Sequence, residues 1–167
     1  MLTFNELFEE IQKHLECTYQ NWFFGAGISF NANIPLMLPL TKKIKADILN
    51  GSYKDLYLCL ENQLPDNSHI EHILSHIGDL LAILYRSKTG KIKIEKLDID
   101  TQDLEKLYKV IVTEIGNLIR YGYKEATSIE AESIGTINKP LVEIKYHKKF
   151  VKKLFSSRAN LENRSTL

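Results

Sequence analysis

The sequence predicts an α/β chain that is mostly α-helical, with few strands. Three observations lead there. The aromatic run Trp22-Phe23-Phe24 is short and stops at glycine, as a buried strand does. Several later segments place apolar residues at helical spacing, over lengths only helices reach. Hydrophobic content of 44% and charged content of 26% are those of a globular protein, and 167 residues suit a single domain.

Thr3 with Glu6 forms a capping box for a first helix reaching Cys17, whose stripe is Phe4, Leu7, Phe8, Ile11 and Leu15. The strand Trp22–Phe24 comes next. Asn31–Pro39 holds two prolines and reads as a loop. Thr41–Leu49 is a helix ended by Asn50-Gly51. Tyr53–Leu60 is a short helix. Ser68 and Glu71 make a second capping box, and the helix they start runs to Arg86. Ser87–Lys93 reads as a polar link. The longest helix starts at Asp100 or Thr101 and reaches Tyr121, with Leu104, Leu107, Ile111, Ile115 and Leu118 on one side. Tyr123–Lys139 is irregular. Pro140 suits a first helical turn, giving a last helix from Pro140 to Ser156.

Net charge is +1, so no global field favours nucleic acid or acidic membranes. Cys17 and Cys59 form no C-x-x-C pair. The acidic start MLTFNELFEE is unlike a signal peptide, and no apolar run reaches membrane-spanning length. These features lead to the expectation of a cytoplasmic protein.

The segment Gly25-Ala26-Gly27-Ile28-Ser29 carries the functional reading. Glycines between a strand and a helix let a ligand approach the backbone without a Cβ clash. A helix N-terminus directly after them offers unpaired N–H groups to phosphate. The third glycine of G-x-G-x-x-G is absent, since Phe30 stands there. The bare G-x-G equally fits an ordinary glycine turn.

The longer string FFGAGISFNANIPLMLPLTKKI resembles the first motif of the sirtuin-like superfamily, GAG-(I/V)-S-x-x-x-G-(I/L)-P. Gly25 to Ser29 match, and so do Ile34 and Pro35. Asn33 replaces the motif's glycine, and asparagine tolerates a left-handed backbone best among the other residues. The resemblance implies a Rossmann-like, sirtuin-type domain with a large helical insertion. It implies NAD as substrate or ligand, held by Gly25, Ala26, Gly27, Ser29, Asn33 and Pro35. Deacetylase sirtuins carry a zinc module of two C-x-x-C pairs, which this sequence lacks, so no zinc is expected.

Residues 67–84, NSHIEHILSHIGDLLAIL, look like the helical insertion of bacterial sirtuin-like proteins of anti-phage defence. Those proteins hydrolyse NAD to nicotinamide and ADP-ribose, and some assemble with a HerA-type ATPase. The resemblance thus implies a homo-oligomer and a HerA-like ATPase as candidate partners. On this reading the chain is the N-terminal part of one such domain. Residues 1–50 hold the first strand and nucleotide loop, 51–156 the helical insertion, and 157–167 a tail. The family's catalytic asparagine motif, T-x-N-(Y/I)-D, and its histidine are not found. The nearest string, Thr136-Ile137-Asn138-Lys139-Pro140, reads as a loop. No catalytic residue is therefore assigned, and the chain alone is expected not to turn over NAD. The alternative is a non-catalytic scaffold that binds the ATPase or itself.

Three other features have plainer readings beside sharper ones. His69, His72 and His76 share a helix at i, i+3, i+7, either as a metal face or as solvated side chains. His147 reads as a surface histidine among lysines. Lys145, Lys148, Lys149, Lys152 and Lys153 read as a solvated helix face or a partner surface.

Overall fold

A computed structural model of the chain describes residues 3–16, 23 and 25–156. Six α-helices, one 3₁₀ helix and four short strands are seen among them: α1 (Phe4–Glu16), a 3₁₀ helix (Ala26–Ala32), α2 (Met37–Leu49), α3 (Lys54–Glu61), α4 (Ile70–Arg86), β1 (Lys91–Ile94), β2 (Leu97–Asp100), α5 (Thr101–Tyr121), β3 (Tyr123–Lys124), β4 (Ser133–Ile134) and α6 (Lys145–Ser156). The chain is mostly helical, and its described strand pairs are antiparallel. The expected strand at Trp22–Phe24 lies outside the described residues except for Phe23, which is in no strand and is exposed. Cys17 and residues 157–167 lie outside them too.

The chain divides into two units, Met1–Ala32 with Glu143–Leu167, and Asn33–Val142. In the second unit, α2 to α5 turn one apolar stripe each into a shared core. Ile44, Leu60, Ile73, Ile77, Leu104 and Ile111 are fully buried there. Each such side chain contributes about 1.5–3 kcal/mol of transfer free energy, set against the entropy of ordering it.

Pro39 lies inside α2 rather than in the expected loop. The third helical position needs no intrahelical N–H partner, so proline is tolerated in a first turn. Thr41 then links two helices. Its hydroxyl donates to the Met37 carbonyl at 2.8 Å and accepts the Ile70 N–H at 3.0 Å. An orphan donor at the start of α4 is thereby satisfied from α2. This replaces the expected Ser68–Glu71 capping box. His69 is the N-cap, and its N–H donates to Nδ1 of His72 at 3.1 Å.

The link expected over Ser87–Lys93 is half of a hairpin. Ile92, Ile94, Leu97 and Ile99 alternate with charged residues, and Ile92 faces Ile99 across the ladder. Glu95 turns the chain with φ 52°, in the left-handed region that glycine or asparagine usually fills. Asp100 then caps α5, accepting the Asp103 N–H at 2.9 Å.

Gly122 ends α5 with φ 89°, and the chain folds back tightly. The Gly135 N–H donates to the Gly122 carbonyl at 2.9 Å, and a Cβ at Gly135 would overlap the Tyr121 carbonyl. Leu141 N–H donates to that same Tyr121 carbonyl at 2.6 Å. Residues 140–144 are therefore outside any helix, and α6 begins at Lys145 rather than Pro140. A helix starting at Pro140 would direct the Glu143 N–H to the Lys139 carbonyl, but that N–H donates to the Ala32 carbonyl at 3.0 Å instead.

Lys43 on α2 reaches Asp47 at 2.7 Å and Glu132 at 2.9 Å, with its side chain only 11% exposed. Burial alone lowers the Lys43 ammonium pKa, but the hydrogen bonds and charges of Asp47 and Glu132 outweigh it and raise the value. Tyr57 is fully buried, and its hydroxyl has no hydrogen-bond partner among the described residues. Desolvation, helped by Glu61, pushes the Tyr57 phenol up to about 12.

The first unit is built differently. Thr3 and Glu6 form the expected capping box, with Thr3 N–H donating to Glu6 Oε2 at 2.7 Å. These bonds from Thr3 hold the Glu6 carboxyl below its ordinary pKa. Four residues of the α1 stripe are exposed, Phe4 at 81%, Leu7 at 49%, Phe8 at 58% and Ile11 at 50%. Glu143 N–H donates to the Ala32 carbonyl at 3.0 Å, which leads the chain into α6 beside the 3₁₀ helix.

Candidate functional site

The glycine loop belongs to the first unit. Gly25 and Gly27 are exposed, and a Cβ built on either would meet nothing within 4 Å. Ile28 N–H closes the first turn on the Gly25 carbonyl at 3.1 Å. Ser29 is half-buried, while Ile28 and Phe30 are 40% and 63% exposed. Pro35 and the asparagines Asn31 and Asn33 disfavour helix just beyond it. The helix expected after the glycines is a seven-residue 3₁₀ helix. Its dipole is correspondingly small.

The six residues expected to contact a nucleotide divide between the units. Gly25, Ala26, Gly27 and Ser29 fall in the first, and Asn33 and Pro35 in the second. Asn33 has φ 58°, the left-handed conformation for which asparagine is suited. Its side-chain Nδ2 donates to the Leu141 carbonyl at 2.7 Å, and its own carbonyl accepts the Tyr123 N–H at 2.8 Å. Asn33 thus joins the start of its unit to the segment after α5. Pro35 is half-buried in the turn leading to α2.

His147 holds the loop. Its Nε2 lies 2.8 Å from the Ile28 carbonyl, and since a carbonyl only accepts, Nε2 carries the proton. His147, expected at the surface among lysines, is half-buried, and its Nδ1 has no partner among the described residues. The sequence signal was available. His147 shares the apolar side of α6 with Tyr146, Phe150 and Val151, away from the lysines.

The histidines of α4 serve separate ends. The His69 and His72 rings lie 3.9 Å apart between centroids, and His76 Nε2 is 2.8 Å from Gln63 Oε1. Among the described residues, no group of three or more His, Cys, Asp or Glu is arranged to hold a metal ion. The string Thr136–Pro140 forms a tight turn, in which Thr136 and Lys139 exchange both backbone hydrogen bonds at 3.1 Å. No helix among the described residues is long and apolar enough to cross a membrane.

Surface clefts in the second unit lie between α3 and the hairpin, lined by Asp55, Cys59 and Glu95, and beside α5, lined by Tyr53, Val110 and Glu114. Neither contains any of the six residues. Cys59 is buried beside the first, and its thiol donates weakly to the Ile94 carbonyl at 3.8 Å. Burial, and then Glu95, push that thiol's pKa up, which makes it a packing side chain rather than a nucleophile.

No known protein family, curated protein or solved structure matches the chain.

Proposed function

We propose that the chain is an NAD-binding module of the sirtuin-like type, with a Rossmann-like ancestry expressed only in its nucleotide loop and a large helical insertion. The family activity implied is NAD hydrolysis in anti-phage defence. One observation carries the reading: Gly25 and Gly27 are exposed and a Cβ on either would meet nothing within 4 Å, so a ligand can approach their backbone as closely as glycine allows. The residues that would hold the pyrophosphate are Gly25, Ala26, Gly27 and Ser29, through backbone N–H groups and the Ser29 hydroxyl. His147, through the Ile28 carbonyl, is the residue that fixes the loop's shape. Bound NAD supplies an electrophilic nicotinamide ribose carbon. No asparagine–histidine pair is assigned to act on it, so the chain alone is proposed to bind without turnover.

Calorimetric titration of NAD into the wild-type chain and into Gly25→Glu tests this. Open space around Gly25 means the substitution leaves the fold intact and blocks only the ligand. Measurable wild-type binding, lost in the variant, supports the module. Equal binding by both, or no binding by either, contradicts it. Nicotinamide release by the purified chain would overturn the non-catalytic assignment.

The second reading, an assembly subunit that binds itself or a HerA-like ATPase, is favoured by the exposed α1 stripe. The two readings are compatible in one chain.

A further inference from the structure

The lysines of α6 occupy one side of that helix. At about 100° per residue, Lys145, Lys148, Lys149 and Lys152 fall within an arc of about 100°. His147, Phe150 and Val151 lie on the other side, and His147 ties that side to the 3₁₀ helix through the Ile28 carbonyl. All four lysines are exposed, and among the described residues none of them is in an ion pair. The sequence holds no acidic residue from Lys145 to Leu161. Net charge is only +1 because 22 basic side chains nearly balance 21 acidic ones. The positive field of α6 is therefore local, not a property of the whole chain.

Tyr146 borders the lysines, about 60° round the helix from Lys149, and is 59% exposed. Cationic side chains beside an open aromatic ring are the combination that single-stranded nucleic acid uses: charge for the backbone, a ring for an unpaired base. Other polyanions match it less well. An anionic bilayer takes up the apolar side of a basic helix, and here that side is engaged with the 3₁₀ helix. An acidic polypeptide would engage the lysines but offers the ring no base. In a duplex the bases are stacked on each other, and the ring again has no partner.

We propose that this face of α6 binds single-stranded nucleic acid, with the lysines on its phosphates and Tyr146 stacked on a base. From Lys145 to Lys152 the lysines span about 10 Å of helix axis, so the contact covers a few nucleotides. Lysine meets phosphate as a point charge and lacks the fork that reads base edges, so binding is independent of base sequence. The proposal does not rest on NAD binding. The lysines lie away from His147 and the loop it holds, and the test uses no NAD.

Fluorescence anisotropy of a labelled oligothymidylate, titrated with the full chain between about 50 and 200 mM salt, provides the test. Four neutralised phosphates at about 0.7 each predict a slope of about −2.8 for log K against log salt. Lys148→Gln/Lys149→Gln halves that slope to about −1.4. Tyr146→Ala weakens binding at least about fivefold and leaves the slope unchanged, because stacking releases no counterions. Lys88→Gln/Lys96→Gln removes the same charge from exposed sites of the other unit and leaves binding unchanged. All these sites are exposed, so helicity by circular dichroism is the same in every variant. A duplex of equal length, phosphatidylserine vesicles and polyglutamate all bind more weakly than the oligothymidylate. No binding at the lowest salt, a slope indifferent to the α6 lysines, equal loss in the Lys88/Lys96 variant, or no effect of Tyr146→Ala would each overturn the proposal. So would a duplex, vesicle or polyglutamate held as tightly as the single strand.

Discussion

In the unit Asn33–Val142, Ile77, Leu104 and Ile111 have no solvent-accessible surface, whereas in the other unit Phe4, Leu7 and Phe8 are 81%, 49% and 58% exposed. Both regions use the same device, an amphipathic helix with apolar residues at helical spacing. The difference lies in what each stripe has to pack on. In α2 to α5, four stripes and the hairpin face a common interior and satisfy one another. The α1 stripe is as regular, but its Phe4, Leu7, Phe8 and Ile11 are exposed. Periodicity reports that a face is to be buried; it does not report what buries it. The region with the closed core carries the stability, and the region with the open face carries the glycine loop.

The largest effect should come from opening the core. Leu104→Ala is expected to cost about 2–5 kcal/mol in urea unfolding, against less than about 0.5 kcal/mol for Leu7→Ala on α1. Comparable costs at the two sites would erase the contrast.

Alkaline pH should act on the same region by a second route. The folded pKa of Tyr57, about 12, lies above the unfolded value of 10.0, so its contribution is complete below pH 10 and is lost between pH 10 and 12. The loss is on the order of 3 kcal/mol. Lys43, also raised, acts in the same direction above its unfolded value of 10.5. Tyr57→Phe should remove most of the alkaline slope without cost at neutral pH, because it also deletes an unpartnered hydroxyl. An unchanged slope in that variant would assign the effect elsewhere.

Lys43→Met should destabilise the same unit by roughly 1 kcal/mol, since both acidic partners keep partial solvation. The smallest effect is local. Glu6 has a lowered pKa, so its support of α1 is present above the ordinary value of 4.5 and fades as pH falls through the folded value. Amide chemical shifts of α1 should report fraying on acidification while those of α4 and α5 stay fixed. Simultaneous change in all three would show that the units are not independent in stability.

How much of this was legible in the sequence varied by element. The Thr3–Glu6 box, the α4 and α5 stripes and the Asp100 cap were all readable, because each depends on residues within one or two turns. The hairpin Lys91–Asp100 was not, although Ile92, Ile94, Leu97 and Ile99 alternate. Its turn uses Glu95 at φ 52° where a glycine or asparagine would have announced it. Pro140 pointed to a helix start, but the Glu143 N–H, which such a helix needs for its first intrahelical bond, is taken by the distant Ala32 carbonyl. Thr41 as the acceptor for Ile70 and His147 as the partner of Ile28 are contacts across 29 and 119 residues, and local pattern does not pair them. At the candidate site the left-handed Asn33 was anticipated from its chemistry. Its hydrogen bond to Leu141 was not.

The proposed nucleotide loop is tested most directly by amide chemical-shift mapping of the isotope-labelled chain during NAD titration. Saturable shifts concentrated at Gly25, Ala26, Gly27 and Ser29, with the amides of α4 and α5 unmoved, are the predicted result. Shifts confined to the unit Asn33–Val142, or none at any NAD concentration reached, would contradict it.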